Sequence, residues 1–141
     1  SAAQAIVRVA EAGAVGGSIE DFDPQGRIYE LEHATERVAA AAEAARALDF
    51  PFALTGRAEN HIRGNPDLPA TIARLQAYQE AGADALYAPA VSAPDDIKTL
   101  VSSVDRPVNV LAAGLPVSRP ACLLRFFRSA STSSSPPSCA G

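Results

Sequence analysis

What most constrains this chain is an alternation: short apolar runs are separated by longer stretches of helical period. The runs lie near Val15–Ile19, Phe52–Thr55, Ala85–Ala88 and Val108–Leu111. Phe52–Thr55 is uniformly apolar apart from its last residue, as expected of a strand buried on both faces. Before the first run, Ile6, Val9, Ala10 and Ala12 mark the apolar stripe of a helix that stops at Gly13, a suitable left-handed cap. Between the first two, an alanine-rich segment from about His33 to Leu48 is a strong helix former with Val38, Ala41, Ala42, Ala45 and Leu48 on one face. Asp67 is a fitting N-cap, with Pro69 tolerated in the first turn, for a helix carried by Ile72, Leu75, Tyr78 and Gln79 to Gly82. Pro94 or Asp95 opens a last helix whose stripe is Ile97, Leu100, Val101 and Val104.

Helix, then strand–helix three times, then strand, is the pattern of a parallel sheet with right-handed crossovers. The same helix-to-strand corner recurs as Glu11-Ala12-Gly13-Ala14 and Glu80-Ala81-Gly82-Ala83. The expected fold class is α/β, a partial parallel (β/α)8 TIM-type barrel of about four strand–helix units. A complete barrel takes about 200–250 residues, more than the 141 present. Ser1 leads straight into a helical pattern, as though an earlier part were missing. The expected organisation is a partial barrel over residues 1–114 and a disordered tail over 115–141, rich in Ser and Pro. The inward face of such a half-barrel is expected to be uncovered and apolar.

Composition narrows the partner. The formal charge is −4 with no basic cluster, which argues against a nucleic-acid surface. No apolar run reaches the length of a membrane span, and no signal segment opens the chain. Cys122 and Cys139 have neither a Cys-x-x-Cys partner nor a His at zinc spacing, and read as incidental thiols of a reducing compartment. A cytoplasmic protein acting on a small molecule is the expectation, with self-association through exposed sheet edges.

Polar residues gather where the apolar runs end. Glu20 and Asp21 follow the first, Arg57, Glu59 and Asn60 the second, and Asn109 lies within the last. Parallel barrels place catalytic groups at strand C-termini, so acid, guanidinium and amide are expected on one rim. Plainer readings stand beside this one. The two acids suit a solvated loop, Arg57 and Glu59 a surface ion pair worth little, His33 a helix-start surface, and His61 an incidental neutral side chain. Tyr78 and Tyr87 suit helix packing and strand burial. A doubly wound flavodoxin-like domain is disfavoured, because Gly13, Gly16 and Gly17 precede or occupy a strand and do not open a helix.

Ala12–Asp21, Pro51–Gly64, Tyr78–Pro89 and Pro107–Leu111 together resemble the isocitrate lyase and phosphoenolpyruvate mutase superfamily, in particular its small single-domain lyases and phosphonomutases. The resemblance implies Mg2+ and a small 2-oxo acid or phosphonate at the strand C-termini. It also implies cleavage or rearrangement of a C–C or P–C bond through a pyruvate enolate. It assigns Glu20 to a metal-bound water, with Asp21 beside it as a loop or supporting group and only weakly a metal group. Arg57 is carried over to the substrate carboxylate or phosphonyl group and to catalysis, Asn60 to substrate binding, and Glu59 and Asn109 to catalysis. The departures are specific. The family's Asp-x-Asp-x-Gly-x-Gly stretch, which carries the principal metal acids, does not occur, nor does the Ser-Gly pair that anchors the substrate carboxylate. The Lys-x-Cys-Gly-His loop of isocitrate lyases is replaced by Phe22-Asp23-Pro24-Gln25-Gly26-Arg27. Pro89 stands where mutases carry a histidine, and Gly56 where relatives carry a larger residue. Two functions follow as expectations: an incomplete lyase or phosphonomutase, or an inactive half-barrel serving as a binding or assembly module.

Overall fold

A computed structural model describes residues 1–111. The expected tail, the boundary at residue 114 and both cysteines lie outside the described residues. Helices and strands alternate as α1 (Ala2–Glu11), β1 (Gly16–Glu20), α2 (Leu31–Arg46), β2 (Ala53–Arg57), α3 (Leu68–Glu80), β3 (Ala85–Tyr87), α4 (Pro94–Ser102) and β4 (Val108–Asn109). The strands form one sheet in the order β1-β2-β3-β4, each pair parallel. The α/β class and the order of units agree with the sequence pattern. This is the (β/α) arrangement of a TIM-type barrel, seen here over four strands.

Local chemistry sets the element ends. Ser1 and Gln4 form a reciprocal capping box on α1. Gly13 (φ 91°) and Gly82 (φ 102°) turn the chain from helix into strand in the left-handed region, so the repeated Glu-Ala-Gly-Ala corner is one backbone solution used twice. Asp67 accepts from the Ala70 amide and caps α3 as expected. The α1 stripe differs from expectation. Ala2, Ile6 and Ala10 are buried, whereas Val9 is 40% exposed and Ala12 lies past the last turn as the C-cap. A single i, i+4 row meets the neighbouring helix α2, and Val9 falls to one side of it.

Strands adjacent in chain order, linked by crossovers of one hand, place their helices on one face of the sheet. There Ile19, Leu54 and Leu86 pack with Val38, Ala42 and Ala45 of α2, Leu75 and Tyr78 of α3, and Leu100 of α4. Gly56 lets α3 approach closely, since a Cβ at this position would lie 2.8 Å from the Tyr78 Cβ.

The alternate strand residues look the other way. Ser18, Thr55 and Ala85 share one row, and Glu20, Arg57, Tyr87 and Asn109 the next. All are at least partly exposed. This corrects the expectation of an apolar inward face. In the described part of the sheet that face is mixed, with Ala53 and Ala85 beside Ser18 and Thr55, and its last row is the polar rim itself.

Candidate functional site

The register puts the expected residues on one line. Glu20 is opposite Arg57, Arg57 opposite Tyr87, and Tyr87 opposite Asn109, all at the carboxyl ends of their strands. Glu20, Arg57 and Asn109 therefore share a rim, as the sequence suggested. Arg57 Nη1 lies 3.1 Å from Glu20 Oε1, and the guanidinium sits 5.3 Å from the centre of the Tyr87 ring. Arg57 Nε donates to Glu59 Oε1 at 2.5 Å. Nη2 has no protein partner among the described residues, so the guanidinium is held at Nε and Nη1 and keeps one nitrogen for a further acceptor.

Glu59 is not half of a surface pair. It is fully buried, and its second oxygen accepts from Nε and Nη2 of Arg63, each at 2.9 Å. Arg63 in turn lies 3.8 Å above the Phe22 ring, joining the loop after β2 to the loop after β1. The pair is costly to break, because removing either cation would leave a buried carboxylate under-compensated.

Asp21, expected as a loop or supporting group and only weakly as a metal group, is turned inward and 2% exposed. Its Oδ1 accepts the Glu59 amide at 2.7 Å. Its Oδ2 accepts from the Tyr78 hydroxyl at 2.5 Å and from Arg74 Nη1 at 3.0 Å. No exposed oxygen is left for a hydrated ion. Burial, then the adjacent Asp21 charge, push the Tyr78 hydroxyl well above the usual phenol range, so it remains a donor. Of the two adjacent acids, only Glu20 keeps an oxygen free of protein partners.

Asn60, expected to bind substrate, is also interior. Its Nδ2 donates to Thr71 Oγ1 at 2.7 Å and reaches the carbonyls of Asn65 and Asp67, while Oδ1 is buried without a partner. Thr71 gives its single proton to the Asp67 carbonyl, so it accepts from both Asn60 and His61, and the His61 proton facing it sits on Nδ1. The amide of Asn60 therefore shapes the loop after β2. Asn109 is exposed on the rim. His33 is an exposed residue of α2, stacked edge-on against Tyr29. In the loop that replaces the Lys-x-Cys-Gly-His segment, Asp23 accepts the Arg27 amide and its Nε. Chiefly that amide bond lowers the Asp23 pKa.

Sequence reasoning missed Arg63, Arg74, Tyr78 and Thr71 as members of this network. Three carboxylates, Glu20, Asp21 and Glu59, face three guanidiniums, Arg57, Arg63 and Arg74, so the cluster is close to neutral before any ligand arrives. Among the described residues, no group of three His, Cys, Asp or Glu side chains is placed to hold a metal ion. No helix there is long and apolar enough to cross a membrane.

Residues 1–122 match the family model described as phosphoenolpyruvate phosphomutase. No curated protein matches the chain. Among solved structures, a protein of Burkholderia cenocepacia J2315 described provisionally as a lyase/mutase is 53% identical, with a TM-score of 0.73 over 75% of this chain and 39% of its own. A second protein of that organism, provisionally a phosphonomutase, is 32% identical, with a TM-score of 0.69 over 75% of this chain and 45% of its own. A phosphonopyruvate hydrolase in complex with oxalate and Mg2+ is 28% identical, with a TM-score of 0.64 over 75% of this chain and 38% of its own. The chain thus spans less than half the length of each of these three proteins.

Proposed function

Because the chain belongs to the phosphoenolpyruvate mutase/isocitrate lyase superfamily, we propose that its rim is the anion-anchoring part of a lyase or phosphonomutase site, with Arg57 as the anchor for a small 2-oxo acid or phosphonate. The observation that carries this is the state of Arg57. Glu59 and Glu20 hold its Nε and Nη1, and Nη2 is left open beside an exposed rim. A guanidinium already held at Nε and Nη1 is prepared to donate from Nη2 to a carboxylate or phosphonyl oxygen, at little further entropic cost. Asn109 stands two strands away on the same row and is placed for a second polar contact. Tyr87 lies between them, and its ring limits the guanidinium's movement toward the sheet.

Breaking the bond between the carbon α to the carbonyl of a 2-oxo acid and its carbon or phosphorus substituent leaves an electron pair on that carbon, which delocalises onto the carbonyl oxygen as an enolate. A fixed cation stabilises that charge more in the transition state than in the ground state. Arg57 is suited to this role, and the buried Glu59 keeps it from swinging away.

A divalent ion, when bound, would supply further stabilisation of the enolate oxygen. The described residues do not fit it unaided. Mg2+ takes one or two carboxylates with waters and substrate oxygens, and of the cluster's three carboxylates Glu20 alone keeps a free oxygen, enough for contact through a water. No step is therefore assigned to the ion. This donor set also supports the second reading, a module that binds the anion without turning it over.

The test is calorimetric titration of the full chain with oxalate, with and without Mg2+, followed by assay with oxaloacetate and phosphonopyruvate. Binding is expected in the wild type. It should weaken about 10- to 100-fold in Arg57→Ala, the range for loss of hydrogen bonds to a charged group. No turnover is expected. Equal affinity in the wild type and Arg57→Ala would remove Arg57 as the anchor. Turnover abolished by Arg57→Ala would replace the binding module with an enzyme.

A further inference from the structure

We propose that Tyr78 and Asp21 are positioning residues for Arg57: helix α3 sets the working orientation of the rim guanidinium through a relay of buried groups. The proposal deepens the reading of Arg57 as the anion anchor and rests on it. The relay can be followed atom by atom. The Tyr78 hydroxyl and Arg74 Nη1 both donate to Asp21 Oδ2. Asp21 Oδ1 accepts the backbone amide of Glu59 and so fixes the chain where it leaves β2. The Glu59 side chain, fully buried, then holds Arg57 Nε, and Arg57 holds Glu20.

Three features make this more than a core tie. First, the link from Asp21 is to the backbone of the residue that carries the Arg57 partner, so any shift of Asp21 moves the Glu59 carboxylate with it. Second, Asp21 also holds the loop after β1, because its carbonyl accepts the Tyr29 amide at 2.8 Å and its amide donates to the Arg57 carbonyl at 3.3 Å. One buried residue therefore sets the relative height of the Glu20 and Arg57 strand ends. Third, Gly56 admits the Tyr78 ring against β2 next to Arg57, and a Cβ there would lie 3.2 Å from Tyr78 Cδ2. The absent side chain at position 56 and the hydroxyl at position 78 thus belong to one device. A larger residue at 56 would displace the ring that carries the donor.

Tyr78→Phe tests this, because it removes only the hydroxyl and keeps the ring against Gly56. Asp21→Asn is the second variant, and Ile6→Val is a control that loosens the core between α1 and α2, away from the rim. Two readouts are compared with thermal stability: oxalate affinity, and the Arg57 Nε–H signal in a proton–nitrogen correlation spectrum. In the wild type that signal should be sharp and slow to exchange with water. In Tyr78→Phe and Asp21→Asn it should broaden and exchange faster, with oxalate affinity down about three- to tenfold, the span of one hydrogen bond. Ile6→Val should lower the melting temperature and leave both readouts unchanged. The relay is overturned if Tyr78→Phe lowers the melting temperature while the Arg57 signal stays sharp and protected. If the wild type binds no oxalate, the anion-anchor reading fails, and the Arg57 signal still decides the relay.

Discussion

The Tyr78 hydroxyl must stay protonated in the folded chain, since burial and the Asp21 charge beside it both raise its pKa. In the unfolded chain the same phenol ionises near pH 10. A group whose folded pKa is raised lends stability in full below its unfolded pKa and loses it as pH climbs above that value. Urea unfolding of the wild type should therefore show stability falling from about pH 10 upward. Tyr78→Phe should be less stable at pH 7 by about 1–3 kcal/mol, the penalty of leaving a buried acceptor short of a donor. Above pH 10 its stability should fall less steeply. Tyr29 and Tyr87 remain in both proteins, so the difference in slope isolates Tyr78, and parallel curves would contradict its buried, protonated state. None of this was legible at Tyr78 itself. The helical stripe placed the residue correctly on a buried face, but its partner is 57 positions away. Local spacing carries no trace of such a pair. For the same reason the interior place of Asp21 could not be read from its position beside Glu20, which lies on the rim.

At the level of elements, strand order and helix ends were readable because their causes are local. A glycine that must adopt positive φ, a capping aspartate and a run of alanines each act within a few residues. The faces were harder, as Val9 and Ala12 show, because which row of a helix is covered depends on the neighbour it meets. Gly56 is the clearest case of an element-level constraint hidden in one letter. The sequence showed only that a small residue stands where relatives carry a larger one. The packing of α3 on β2 supplies the reason. Gly56→Ala would bring a methyl group to 2.8 Å from the Tyr78 Cβ and 3.3 Å from the Ala83 Cβ. Both neighbours are fully buried and neither atom is the end of a flexible chain, so α3 or the β2–β3 pair must shift. We expect a loss of about 1–3 kcal/mol, typical of overpacking, measured as a lower urea midpoint with an unchanged slope. A neutral or stabilising outcome would mean that α3 is free to slide on the sheet.

For the whole molecule the open question is what meets the sheet's edges. Among the described residues β1 and β4 each pair on one side only, and the alternation gave that order without showing what lies beside it. The two differ in reach, β4 spanning two residues and β1 five. Along β1, Val15 accepts from Ala53 and Asp21 donates to Arg57. The two-residue period of a parallel ladder then turns the odd-numbered residues toward β2 and leaves the backbone groups of Gly16, Ser18 and Glu20 facing outward. Such an edge invites a strand from another chain, and the small side chains on this part of the sheet do little to block it. For this chain prepared alone, we propose a second copy as the strand donor. Sedimentation velocity should show association that increases with protein concentration. Ser18→Pro discriminates between edge pairing and other contacts. It removes an outward amide while sparing the bonds to β2, and proline is tolerated on an edge strand. The variant should keep the wild-type circular dichroism and sediment as a monomer at concentrations where the wild type associates. Association unchanged by Ser18→Pro, with the fold intact, would move the contact away from β1.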